Sequence, residues 1–327
     1  MSAYHNSNLL YRPSVSVWTA RKKDKAESKK VNDNAGAIEG AANVHKQLLP
    51  DSLELEAVQK FATSFRTWIY ESTLPWDDSG WRIGRVVRHM DFMAEAGDKM
   101  REFDVLVDAF VNAYAREIEN AKFTLNAMFN QADYPGTDEM RAKFAISLDV
   151  TTLPNSEDFR VVDGVPQDEV DKLCAIASNA TEARIAAGME EAYKRLFTVV
   201  SKMATTLTQY GDKEIKKFND TLINNIGDLV AIMPALNITD DPALNALTTE
   251  ARELVEYDLT DLRKDEGTRT AAIKQAQALA GKFALIMGGK QLGVPDEVIN
   301  AMPDPLKPVG VTGVTASLFA DMMDGEA

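Results

Sequence analysis

The residue types that most often carry catalysis are few in this chain, and they stand apart from one another. The single cysteine, Cys174, has apolar neighbours, which predicts a buried reduced thiol rather than a nucleophile. His5, His45 and His89 are far apart in sequence and lack a second ligand at helical spacing, so we predict no metal site. The segment Gly288-Gly289-Lys290 lacks the hydroxyl residue of a phosphate-binding loop and is predicted to end a helix. We therefore expect a protein that is not an enzyme and that holds no cofactor.

Two clusters of residues carry chemistry that suits a binding site. The first is a basic run near the start of the sequence. The second is a loop with two tryptophans and three arginines, where stacking and charge together would hold single-stranded nucleic acid. Alternatives stay open for both clusters. The basic run could be a solvated turn or flexible arm, and the tryptophans of the loop could have a purely structural function as a packed plug. The candidate nucleic-acid or partner contacts are Arg21, Lys22, Lys23, Lys25, Trp76, Trp81, Arg82, Arg85 and Arg88.

The last residues of the sequence combine acidic and apolar side chains. Leu318, Phe319, Met322 and Met323 would share one face of a short helix. Such a segment can dock in the groove of a partner, and packing on the protein's own body is the equal alternative. These four are the candidate docking residues of the tail.

The charge of the chain is acidic and unevenly distributed. Its 327 residues include 36 Lys and Arg against 50 Asp and Glu, a net charge of −14. Residues 1–46 carry about +4, so the remainder carries about −18. An acidic body repels phosphate backbones, which argues against a protein that wraps DNA, although a basic arm can still touch nucleic acid.

The composition is that of an ordinary soluble globular protein, with 45% hydrophobic residues and too little cysteine for a disulfide scaffold. No run of about 18 apolar residues occurs, as a membrane span would require. The first twenty residues also lack a cleavage pattern for secretion. We therefore expect a cytoplasmic protein without a membrane anchor.

Apolar residues recur at steps of three and four over long stretches and predict a mainly α fold. The first helix is predicted over 52–70, with Asp51 or Ser52 as its cap. Two long helices are predicted over 98–131 and 167–211, each with a near-heptad seam that requires a partner. The two could pair with each other as a long antiparallel, coiled-coil-like arm, or across a dimer.

The clearest β-signal is the alternation over 144–150, which with 159–162 predicts a small β-hairpin at the tip of this arm. Further helices are predicted over 212–233, which Pro234 ends, and over two later stretches. Those stretches are 242–263, with Pro242 in its first turn, and 267–287. The predicted domains are a basic N-terminal arm with a short strand (1–50), a helical domain with the β-hairpin near 144–162 (51–211), a C-terminal helical bundle (212–290) and an extended tail (291–327).

Four phrases of the sequence point to a family. They are Val15-Ser16-Val17-Trp18-Thr19-Ala20-Arg21-Lys22, Ala42-Asn43-Val44-His45-Lys46, Tyr70-Glu71-Ser72-Thr73-Leu74-Pro75-Trp76 and Asn130-Gln131-Ala132-Asp133-Tyr134-Pro135. As a set they resemble a family of tailed-bacteriophage proteins with no assigned activity, over roughly residues 1–210. The resemblance implies a phage protein made in the cytoplasm of a bacterial host, with a ring-forming ATPase among its partners. It supplies no functional residues.

Three functions follow as hypotheses. The first is a non-enzymatic helical phage protein that acts by self-assembly, as a homo-oligomer, or by binding another phage or host protein during infection. The second is single-stranded nucleic-acid binding in phage replication or recombination, through the basic arm and the tryptophan loop. The third is an acidic nucleic-acid mimic that inhibits a host factor.

Overall fold

The computed structural model of the chain describes residues 4–155, 164–215 and 217–288. Within these ranges the fold is mainly α with small antiparallel sheets, which confirms the predicted class. The strands are β1 (Asn8–Ser16), β2 (Arg21–Asp24), β3 (Val44–Gln47), β4 (Leu74–Pro75), β5 (Arg82–Arg85) and β6 (Ala145–Thr152). The helices are α1 (Lys25–Asn34), α2 (Leu53–Ser72), α3 (His89–Leu125), α4 (Thr137–Met140), α5 (Gln167–Gly211), α6 (Thr221–Leu236), α7 (Pro242–Glu253), α8 (Leu259–Lys264) and α9 (Glu266–Ile286).

The chain divides into two compact units. Unit 1 comprises Met1–Arg195 and Leu229–Ala246, and unit 2 comprises Leu196–Asp228 and Leu247–Ala327. The divisions fall inside α5, α6 and α7, whereas the sequence predicted them at the ends of helices. Periodicity marks where a helix ends, but it does not reveal that two stretches of one helix bury their apolar faces in different cores.

The N-terminal strand β1 is an inner strand of the four-stranded sheet of unit 1, whose order is β4-β5-β1-β6. Leu10 and Tyr11 on β1 are buried in the core. β5 pairs with β1 only as far as Tyr11, so Pro13, which has no N–H to donate, lies beyond that pairing. The short strand predicted within residues 1–50 is thus an inner strand of this sheet, and two of its side chains are buried in the core.

Helix α2 supplies the partner for the seam of the first long helix. Ser52 is the cap of α2, and its hydroxyl accepts from the Leu55 amide at 3.3 Å, which decides between the two predicted caps. α2 and α3 share one hydrophobic cluster with strands and turns of unit 1. Its buried members from the two helices are Leu55, Val58, Ala62, Phe103, Val107, Phe110, Tyr114 and Ala121. None of the residues of this cluster comes from α5.

The first strand of the predicted β-hairpin is present as β6. Strand β6 pairs antiparallel with β1, with Ser16 opposite Ala145 and Leu9 opposite Thr152. The predicted second strand over 159–162 lies outside the described residues, as do the tail over 291–327 and its docking candidates. The β1 partner was missed because strand alternation gives the faces of a strand but not the distant segment that pairs with it.

In unit 2, Phe283 of α9 is fully buried, and its ring centroid lies 6.2 Å from that of Phe197. The predicted helix over 242–263 is two helices, because the Asp258 carboxylate caps a new start by accepting from the backbone N–H groups of Thr260 and Asp261. No helix within the described ranges is long and apolar enough to cross a membrane.

The two predicted prolines have different outcomes. Pro242 begins α7 as predicted, and the Asp241 carboxylate accepts from the Ala243 amide at 2.8 Å. Pro234 lies inside α6 rather than after it. Pro234 has no N–H to donate to the Val230 carbonyl, so α6 lacks one bond of its helical ladder near its C-terminal end.

Candidate nucleic-acid interface

The basic run of the sequence forms one strand of a two-stranded antiparallel ribbon, β2 with β3. In its register Lys22 faces Lys46 and Lys23 faces His45. Because side chains alternate along a strand, Lys22 and Lys46 share one face, here called the inner face, while Arg21, Lys23 and His45 share the outer face. The pairing therefore sorts the cations of the run into two sets.

The inner face is neutralised by one carboxylate. The two oxygens of Asp133 lie 2.8 Å from Lys22 Nζ and 2.6 Å from Lys46 Nζ. The side chains of Lys46 and Asp133 are only 8% and 6% exposed, and Lys46 Nζ also donates to the Met128 carbonyl at 2.7 Å. Burial alone would raise the pKa of Asp133, but the bonds to Lys22 and Lys46 outweigh burial and hold that pKa below its usual range.

The outer face is exposed and basic. Arg21, Lys23 and His45 are all exposed, and Lys25 follows them at the first position of α1. No carboxylate in the described part of the chain forms an ion pair with Arg21, Lys23 or Lys25. These three cations therefore remain available to an anionic ligand.

Polar contacts from α1 hold the ribbon in place. The hydroxyl of Ser28 donates to the Asp24 carbonyl at 2.5 Å and accepts from the Val44 amide at 2.9 Å, which ties α1 to both strands. Asn32 exchanges two hydrogen bonds with the backbone of Ala42. No helix was predicted here from the sequence, because α1 buries polar Ser28 and Asn32 and so lacks apolar periodicity.

Two of the residues that build this site were missed by sequence reasoning. Lys46 precedes the helix predicted over 52–70, and Asp133 follows the helix predicted over 98–131, so no element was predicted at either position. The alternation of Val44, His45, Lys46 and Gln47 was a usable signal for a strand, but four residues are too few to distinguish a strand from a loop. Only the fold brings Asp133 to β2 and β3.

The tryptophan loop does not offer a stacking surface at Trp76. Trp76 is 4% exposed, and the Arg184 guanidinium lies 5.5 Å from the centre of its ring. Trp81 is half-buried with the Arg12 guanidinium over its ring at 4.7 Å. The structural alternative therefore describes Trp76 better than a base-stacking function does.

Two arginines of this loop are occupied at the ends of helices. Arg82 donates to the carbonyls of Tyr70 and Thr73, which closes the C-terminus of α2 where carbonyls have no helical partner. Burial, and then the charge of Arg195, lowers the pKa of Arg82 to about 10. Arg85 pairs with Asp240 at 2.6 Å. Arg88 is the exposed arginine of the loop.

Replacing Arg82 with alanine is expected to lower the free energy of unfolding by about 2 kcal/mol, since charge-assisted hydrogen bonds to two carbonyls at the end of α2 are lost. Arg88→Ala, which removes an exposed arginine from the same loop, should change it by less than about 0.5 kcal/mol. Urea unfolding of both variants measures the difference. Equal effects of the two substitutions would contradict the capping function of Arg82.

No family model, curated protein or solved structure matches this chain. The phage family and the ring-forming ATPase therefore stay predictions. Cys174 is buried as predicted. Among residues 4–155, 164–215 and 217–288, no three His, Cys, Asp or Glu side chains are grouped so that they could hold a metal ion.

Proposed function

We propose that this chain is a non-enzymatic binding protein that contacts the phosphate backbone of nucleic acid through the outer face of its β2–β3 ribbon. The observation that carries the proposal is the sorting of the cations. Asp133 pairs with Lys22 and Lys46 on the inner face, whereas Arg21 and Lys23 on the outer face have no carboxylate partner among the described residues. Exposed lysines and arginines without a carboxylate partner can neutralise phosphates of a nucleic acid. The cations condensed on the nucleic acid are then released, and this release is the main source of sequence-independent affinity.

The spacing of the outer face suits a regularly charged polymer. Arg21 and Lys23 are two residues apart on one strand, so their Cα atoms are about 6.6 Å apart. His45 lies beside Lys23 on the neighbouring strand, and Lys25 begins α1 directly after β2. Cationic side chains at this spacing, on a ribbon that α1 holds in place, can contact successive phosphates along a nucleic-acid backbone.

The burial of Trp76 changes which nucleic acid is expected. Preference for a single strand depends largely on aromatic side chains that stack on bases, and Trp76 has no exposed face for a base. Contacts with phosphates are common to both forms. We therefore expect similar affinities for single-stranded and duplex DNA, which differs from the single-strand hypothesis drawn from the sequence.

The double variant Arg21→Glu/Lys23→Glu is expected to bind labelled DNA at least about tenfold more weakly at about 50 mM salt. Two phosphate contacts are lost, so the slope of log affinity against log salt concentration should become shallower by about two. Fluorescence anisotropy with a single-stranded oligonucleotide and its duplex measures both quantities. Circular dichroism establishes that the variant remains folded.

The matched control is Lys60→Glu/Arg101→Glu, which makes the same change of net charge at exposed positions on α2 and α3. It should keep most of the wild-type affinity if local contacts decide binding. An equal loss in both variants would indicate only a general charge effect. That result, or no binding by the wild type at about 50 mM salt, would remove the proposal.

A second candidate function is self-assembly or partner binding by a phage protein in the host cytoplasm. The observation that favours it is a group of apolar side chains left exposed at the start of α3, Val86, Val87 and Met90. Affinity purification of the tagged protein from phage-infected cells, with and without nuclease, tests it. A protein partner that survives nuclease supports this function, and nucleic acid that is lost on treatment supports the first.

A further inference from the structure

An exposed patch lies where α3 begins in unit 1. Val87 and Met90 are 74% and 77% exposed, and Val86 beside them is also exposed. Arg88 stands among them, exposed and without an ion pair to any carboxylate of the described residues. These four residues are called the α3 patch. Contiguous exposed apolar side chains of this kind often mark a site of protein association.

The α3 patch also carries positive charge from the backbone. No side chain within the described ranges caps the N-terminus of α3, a helix of 37 residues. A short 3-10 turn, Val86–Arg88, leads into α3, and the N–H groups of Val86 and His89 donate to the carbonyls of Ser7 and Val86. The N–H groups that remain add a partial positive charge to that of Arg88, and Asp91 of the first turn opposes it. The patch therefore suits an apolar ligand that also brings carboxylates.

We propose that the α3 patch binds residues 317–326 of a second copy of this chain in a head-to-tail contact. That segment has the complementary chemistry, because its apolar residues recur at helical spacing and acidic residues stand between and after them. The apolar residues are Leu318, Phe319, Met322 and Met323, and the acidic ones are Asp321, Asp324 and Glu326. The proposal is independent of nucleic-acid binding by the ribbon.

Charge favours the acidic segment over a contact between two α3 patches. A two-fold contact between patches offers each Arg88 only the single first-turn carboxylate, Asp91, of the other copy. The acidic segment brings the opposite charge. The 28 residues from 289 to 316 can span up to about 90 Å, so the segment of a neighbouring copy is within reach.

Sedimentation equilibrium of the full chain over a wide range of concentration tests the proposal. The weight-average mass of the wild type should rise above 36.0 kDa with concentration, since head-to-tail contacts can repeat. Val87→Glu/Met90→Glu, in the patch, and Phe319→Glu/Met322→Glu, in the tail, should each stay monomeric. The control Val105→Glu/Phe123→Glu changes two other exposed apolar residues of α3 and should behave as the wild type.

Mixing the patch variant with the tail variant gives the decisive result. The first keeps an intact tail and the second an intact patch, so the mixture should form dimers and nothing larger. A monomeric wild type, which includes docking of the tail on its own chain, would overturn the proposal. So would a mixture that stays monomeric, or self-association that survives both double variants.

The tests distinguish failure of this proposal from failure of the proposed nucleic-acid binding. Arg21→Glu/Lys23→Glu should self-associate as the wild type does, and Val87→Glu/Met90→Glu should bind DNA as the wild type does. Loss of both properties in either variant would indicate misfolding, which circular dichroism and the urea unfolding midpoint detect.

Discussion

Asp133→Ala is expected to lower the free energy of unfolding by about 3 kcal/mol, because it leaves the ammonium group of Lys46 buried without its carboxylate. Lys46 and Asp133 are both almost fully buried, so little solvent is present to replace the lost partner. Urea unfolding at pH 7 measures the effect. The same variant should also weaken DNA binding, because the inner face that holds the ribbon is no longer fixed.

Two matched variants separate this effect from a general loss of an ion pair. Asp149→Ala removes the half-exposed surface pair of Arg12 and should cost less than about 1 kcal/mol. Lys46→Met/Asp133→Leu removes both buried charges, and it should be much closer to the wild type than Asp133→Ala is. A cost below 1 kcal/mol for Asp133→Ala would contradict the account.

The same pair predicts a dependence on pH. The pKa of Asp133 is lower in the folded protein than in the unfolded chain, so folding favours the ionised form. Its stabilising contribution is then complete above the unfolded-state pKa of about 3.9 and is lost as the pH falls through the folded-state value. The difference in stability between wild type and Asp133→Asn should therefore shrink below about pH 4.

Phe110→Ala is expected to cost about 3–5 kcal/mol, the usual range for removing a fully buried aromatic ring. Phe110 has no exposed surface, and its ring centroid lies 5.5 Å from that of Phe144 and 5.7 Å from that of Tyr114. The loss would leave a cavity in the core that α2 and α3 share. Thermal and urea unfolding measure the change.

The same helix offers the control for this prediction. Phe123 is 79% exposed, so Phe123→Ala removes the same ring with almost no change in buried area. Its effect should stay within about 0.5 kcal/mol. Similar costs at the two positions would mean that the seam of α3 is not packed as described.

Local patterns in the sequence were sufficient for several of the long helices. The choice of Asp51 or Ser52 as the cap of α2 and the span of α5 follow from signals within a few residues, a polar side chain before an apolar stripe and an unbroken apolar period. The positions that face the core on α3 follow in the same way. These features can be predicted from the sequence because caps and amphipathic faces depend on residues that are close in the chain.

The tertiary structure alone decided what those elements contact. The seam of α3 packs on α2, and Asp133 lies more than a hundred residues from Lys22, with which it pairs. Trp76 carried the same sequence signal whether it was buried or exposed. A side chain's charge and periodicity are local, whereas its partner and its exposure depend on which distant segments fold against it, and that is why the basic ribbon could be recognised only in the folded chain.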